Sequence, residues 1–235
     1  MIKELLLYSG FAGITVFIGG LLANWFNHHV PDSPIKPIIT HTVIAFGGGI
    51  ILSAVALVLI PKGMEQLSII PLCISFSLGA ILFAIADYLL AKKGGKMGTL
   101  LAMLMDFIPE SIALGAVFAV DPSTAALLAI FIGLQNLPEA FNSYRDLVMS
   151  GYKAKTTLII FFFMSFLGMA GALIGHFFLR SSPDITAHLM VFSGGGILYL
   201  VFQDIIPEVK FKNSYSISLA GTLGFLIGII GEKLL

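Results

Sequence analysis

The chain carries two short polar stretches with matching chemistry, DFIPES at Asp106 to Ser111 and QNLPEA at Gln135 to Ala140. Asp106 and Glu110 are four residues apart, as are Gln135 and Glu139, so in a helix each pair lies along one face. Asn136 stands beside Gln135, and the stripe continues through Asn142, Ser143 and Asp146. Pro109 and Pro138 donate no backbone hydrogen bond, which frees the carbonyls of Met105 and Leu134 and bends the helix. Carboxylate, carboxamide and carbonyl oxygens are hard donors that suit Mg²⁺, Mn²⁺ and Fe²⁺, whereas Zn²⁺ more often adds imidazole or thiolate. The same carboxyls, protonated, would form a neutral network that ties helices together. No HExxH occurs, and no nucleophile stands beside a base.

These residues sit in an oily chain. Of 235 residues, 57% are hydrophobic and 11% charged, and the mean hydropathy is +0.99. That balance excludes an ordinary soluble domain and points to a membrane. A spanning helix needs about 20 apolar residues. Eight such runs are legible, at roughly 5–26, 38–60, 69–91, 98–120, 124–146, 157–179, 185–207 and 216–232, set off by proline-, glycine- and lysine-rich breaks. None of the breaks holds a second domain, so a single transmembrane domain over 1–235 is expected. The first run is long for a secretory signal, has no small-residue cleavage pattern, and reads as a retained span. A net charge of zero leaves no basic footprint for nucleic acid. The single cysteine, Cys73, excludes an internal disulfide.

Eight spans put both termini on one face. That face carries Lys3, Lys62, Arg180 and Lys233, and the other carries the remaining nine Lys and Arg, so both termini are expected outside. The second span, FGGGIILSAVALVLIPK from Phe46, aligns without a gap on the seventh, FSGGGILYLVFQDIIPE from Phe192, at an offset of 146. The two cross the membrane in opposite senses, the mark of an inverted repeat of spans one to three against six to eight. Spans four and five lie between the halves. At 1.5 Å per residue, DFIPES and QNLPEA both fall roughly 17 to 23 Å from the turn near Asp121 and Pro122, facing each other at mid-membrane. A carboxylate there costs about 2.5 to 3.5 kcal/mol. Arg145 belongs near the inner end of its span, snorkelling. A visiting cation is the simplest source of the missing positive charge.

The paired motifs resemble those of the ZIP (Zrt/Irt-like) family of divalent metal transporters. In that family the fourth span carries a His-Asn-x-Pro-Glu-Gly pattern, and the fifth a His or Gln, then Asn or Asp, then x-Pro-Glu-Gly. The resemblance implies metal ligation by Asp106, Glu110, Gln135, Asn136 and Glu139. Phe107 replaces a polar residue and cannot ligate, which weighs against a second metal beside the first. Asp106 replaces a histidine, which hardens the site toward manganese or iron. The loop AKKGGK lacks the histidine-rich insert of many relatives. Some relatives slide spans one, four, five and six against two, three, seven and eight, in an elevator motion.

The expected architecture is therefore an all-α polytopic membrane protein of eight transmembrane helices, in a 3+2+3 arrangement with an inverted repeat around spans four and five. The expected function is transport of a divalent metal cation (Zn, Fe or Mn class) into the cytoplasm by alternating access, with the cell's inner membrane as its location. No catalytic residue is expected, no cofactor beyond the transported cation, and no partner beyond metal, lipid and, in oligomeric form, a homodimer. Secondary candidates along the path are Asn142, Ser143, Asp146, Asp204, His176 and His188. Solvated or interfacial roles are the plainer reading for Asp204, Asp87 and the two histidines. Two other classes stay open: an intramembrane hydrolase using the same carboxylates, and a metal-free carrier of protons or small cationic solutes.

Overall fold

The computed structural model describes residues 2–92, 98–209 and 215–233, and all regular structure among them is helical. The order is α1 (Ile2–His29), α2 (Ile35–Ala54), a π-helical segment π1 (Val55–Leu59), α3 (Ile60–Gln66), α4 (Ile69–Lys92), α5 (Gly98–Phe118) and α6 (Pro122–Met149). It continues through α7 (Ala154–Ile174), π2 (Gly175–Leu179), α8 (Pro183–Leu200), π3 (Val201–Ile205), α9 (Ile206–Glu208) and α10 (Tyr215–Lys233). Seven of the resulting rods are long and apolar enough to cross a membrane; α5, at the place of the predicted fourth span, is helical over 21 residues and stands outside those seven. The rods overrun the apolar runs. The second extends over Ile35–Gln66 where 38–60 was expected, because backbone pairing continues past the apolar core into the polar ends.

Proline explains two of the π segments. Pro61 and Pro207 each carry a ring that would clash with the carbonyl four residues earlier and have no N–H to satisfy it. The chain widens by one residue before each: the Ile60 N–H donates to the Val55 carbonyl and the Ile206 N–H to the Val201 carbonyl. A local π turn is the usual way a membrane helix re-satisfies such groups. The two segments are separated by 146 residues, the offset at which the sequences align.

The rods sort into two bundles. Helices α1, α5, α6 and α7 pack on one another, while α2 packs on α10 and α4 on α8; the bundles meet along α2–α6 and α5–α8. Lipid tails are as apolar as leucine, so backbone-to-backbone approach through small residues holds these helices together. A Cβ on Gly49 would overlap the Gly221 carbonyl of α10, and one on Gly224 the Phe46 carbonyl of α2. The same geometry joins α8 to α4, where Gly195 lies on the Phe76 carbonyl and Gly79 on that of Phe192. Gly49 and Phe46 correspond to Gly195 and Phe192 at the offset of 146. Gly151, with φ at 94°, closes the turn after α6, where only glycine is unstrained.

Helix α6 starts under tight control. The Asp121 side chain caps it by accepting from the Thr124 N–H at 3.1 Å and from the hydroxyls of Thr124 and Ser123, and Pro122 fits the first turn. Across the bundle boundary, Lys62 of α3 lies 3.6 Å from the Asp121 carboxylate. Those bonds from Thr124 and Ser123, with Lys62 adding to them, hold the Asp121 carboxyl well below the usual carboxylate range. A lowered native pKa contributes stability above the unfolded value, near 3.9, that is lost as pH falls through the native value. The exposed ion pair itself is worth about 0 to 1 kcal/mol. Asp121→Ala should cost roughly 0.5 to 2 kcal/mol of thermal stability in detergent at neutral pH, and Asp121→Asn much less because it keeps the cap. Equal losses in the two variants would place the stabilisation in the charge instead.

Candidate metal site

The two proline-containing helices α5 and α6 pack directly on each other and bring Glu110 and Gln135 into contact. Both side chains, and that of Asn136, are 1% exposed, so no bulk water reaches them. Gln135 Nε2 donates to Glu110 Oε2 at 2.6 Å. Asn136 turns the other way: its Nδ2 donates at 2.9 Å to the backbone carbonyl of Ala12 on α1, which also accepts the Thr15 hydroxyl at 2.7 Å. A backbone carbonyl only accepts, so the orientation of the Asn136 amide is fixed by chemistry. Both amides are thus held by their nitrogen ends. Their oxygen ends, Gln135 Oε1 and Asn136 Oδ1, are buried with no hydrogen-bond partner among the described residues. An orphaned buried acceptor costs about 1 to 3 kcal/mol, and these two stand on adjacent residues.

Asp106 lies on α5 one turn before Glu110, but its side chain falls outside the described residues. Phe107 is fully buried and fills the space toward α7, where a Cβ on Gly168 would lie 2.6 Å from its ring. An aromatic ring therefore occupies the position beside Asp106, where the motif resemblance leads one to expect a polar residue. Among the described residues no three His, Cys, Asp or Glu side chains gather as a metal cluster, and the oxygen set is a mixture of carboxylate and amide.

One turn further along α6 the character changes. Pro138, Glu139, Asn142 and Ser143 line a cavity of about 90 Å³ between the bundles, walled across the boundary by Gly47 of α2 and Asp204 of π3. At roughly 10 to 15 Å³ per water, that is room for several waters or a partly hydrated ion. Among the described residues no Lys or Arg lines it. A Cβ on Gly47 would overlap the Pro138 ring, so glycine is what lets the proline-bent part of α6 approach α2.

The structure sorts the remaining candidates. Asp204 lines the cavity and is also exposed at the end of its rod, as the solvated helix-end reading expects. Asp146 is not among the cavity-lining residues; its backbone carbonyl accepts the Ser150 N–H at the end of α6. The two histidines have separate surroundings. His176 is buried in π2 between Phe118 and Phe177, and His188 shares a 2.6 Å hydrogen bond with Ser75 that ties α8 to α4. Asp87 accepts from the Tyr199 hydroxyl at 2.9 Å and also joins α4 to α8. The Asn136 bond to α1 was missed by sequence reasoning, because its acceptor is a backbone carbonyl that no residue type announces.

Gln135→Leu removes a buried donor to a carboxylate and should cost about 1.5 to 3 kcal/mol, measured as thermal unfolding of the purified protein without added metal. An unchanged melting temperature would contradict the pairing with Glu110.

Comparison with known proteins bears on this arrangement. A protein of Myxococcus xanthus described as the zinc transporter GufA is 32% identical over 109 residues, which cover 46% of this chain and 43% of that one. The chain thus spans less than half the length of that curated relative. The model of the family described as ZIP Zinc transporter matches residues 90–231, which include both proline motifs and more than half of the chain. The chain therefore belongs to the ZIP zinc transporter family.

Proposed function

We propose that this protein carries a divalent metal cation across the membrane, into the cytoplasm, by alternating access around Asp106, Glu110, Gln135, Asn136 and Glu139. The observation that carries the reading is the pair of buried amides pinned by their nitrogen ends beside Glu110, with their oxygen ends unpartnered among the described residues. Acceptors without donors, next to a carboxylate, are the arrangement a cation completes. Oxygen-only donors favour a hard ion, so manganese and iron join zinc as substrates. Phe107 in its buried place supports one cation at a time.

The path runs from Glu110 along α6 to Glu139, Asn142 and Ser143, and leaves past Asp204. The cavity that these last residues line lies toward the Lys- and Arg-rich face, which the positive-inside rule assigns to the cytoplasm, with both termini outside. Helix α5 serves as the fourth span, which brings the number of spans to eight. The matching π segments and glycine contacts at an offset of 146 support an inverted repeat. All the amide and glutamate ligands ride on the bundle of α1, α5, α6 and α7, while α2, α4, α8 and α10 form the other. That division suits one bundle sliding on the other, with the Gly47–Pro138 contact on the sliding surface and the Lys62–Asp121 ion pair spanning the boundary at the far end. Binding to the moving bundle first and release at the shared cavity would follow.

Metal uptake into proteoliposomes tests this. The Glu110→Ala, Glu139→Ala double variant should lose at least 90 to 99% of transport, about 1.4 to 2.8 kcal/mol of lost stabilisation, while remaining monodisperse and folded. Unchanged uptake would sink the assignment.

A further inference from the structure

A second groove lies on the lipid-facing side of the molecule, between α1 and α7, with a volume of about 540 Å³. Its two ends differ. His28 of α1 and Lys155 in the first turn of α7 stand at the end nearest the Lys- and Arg-rich face. Phe17, Leu158, Phe162 and Phe163 form the deeper part, with Phe162 held edge-on by Phe17 and Phe163 at ring separations of 5.6 Å. Among the described residues no carboxylate lines the groove. Lys155 pairs with no carboxylate among the described residues, whereas Lys36 and Lys62 both do. The His28 ring is fixed by Nδ1, which faces the Asn24 carbonyl at 2.8 Å and must donate to it; Nε2 is turned away from the helix and donates outward in the imidazolium form.

Length supports an occupant of particular size. From Lys155 to Phe162 is seven residues and from His28 to Phe17 eleven, roughly 10 to 16 Å along the helices. One leaflet of a bilayer has about 15 Å of hydrocarbon. An apolar trough of that depth with a cationic, unpaired mouth complements one lipid: a chain for the trough and a negative phosphate for the mouth. Basic pockets between membrane helices on this side are a known form of anionic lipid site.

We propose that the α1–α7 groove binds the acyl chain of an anionic phospholipid whose headgroup phosphate sits on Lys155 and His28. The groove belongs wholly to the bundle that carries Glu110 and Glu139, and the binding stands or falls independently of transport.

Native mass spectrometry of the full-length protein, released from phosphatidylcholine vesicles with and without phosphatidylglycerol, reads the site directly. The wild type should retain phosphatidylglycerol in preference to phosphatidylcholine. Lys155→Gln should lose about fivefold of that preference, the value of one charge at the headgroup level, and Lys155→Arg should keep it. Leu158→Trp, which fills the trough, should lower retention of both lipids while leaving the protein folded by gel filtration. Free glycerol phosphate should not compete. An unchanged preference in Lys155→Gln, full lipid retention in Leu158→Trp, or a protein dimer in place of the lipid adduct would each overturn the proposal.

Discussion

Inside a bilayer no water is at hand to satisfy a polar group, and the structure is organised by that constraint. Several side-chain hydroxyls settle it locally: Ser9, Thr40, Thr42, Ser111, Ser165 and Thr186 each donate to a carbonyl one turn back. The α5–α6 pair does not. There Gln135 spends its nitrogen on Glu110, Asn136 spends its own on α1, and both oxygens are left over among the described residues. A chain selected only for stable packing would place Leu or Ala at these positions. The cost of keeping them is intelligible if the missing partner arrives and leaves.

The rest of the fold holds that arrangement in place. Helix α1 is bound to α6 at two levels, by the Asn136–Ala12 bond and by Tyr144, whose hydroxyl donates to Asn24 Oδ1 at 2.8 Å. Between them Gly19 brings α1 onto the backbone of α6 near Leu137. The first helix is thus a splint for the site. The facing bundle is built differently. Its helices α2 with α10 and α4 with α8 join through paired glycine contacts, and among the described residues they contribute a single carboxylate, Asp204, to the shared cavity.

Much of this was legible in the sequence, for reasons of scale. Runs of about 20 apolar residues fix helices because the bilayer fixes their length. The double Asp/Gln-to-Glu spacing around Pro109 and Pro138 fixed which faces of α5 and α6 oppose each other, and the contact of Gln135 with Glu110 follows that pattern. What escaped was decided by backbone groups and by half-turns. The Ala12 carbonyl that orients Asn136 has no signature in residue type. Asp204 lies in the π turn before Pro207, exposed at the helix end and yet on the cavity wall, a double placement that residue type does not announce. Lys155 and His28 come together only because α1 and α7 pack side by side, a pairing of first and sixth spans that no local pattern encodes.

The central claim is that a cation is held by oxygen alone, at a site built of carboxylates and amides. X-ray absorption at the metal edge of the purified, metal-loaded protein tests it most directly. With zinc bound, the account predicts a first shell of oxygen at about 2.0 to 2.2 Å and no imidazole multiple scattering, because His176 and His188 lie in separate surroundings. Imidazole in the first shell, or a sulfur neighbour at about 2.3 Å, would contradict it.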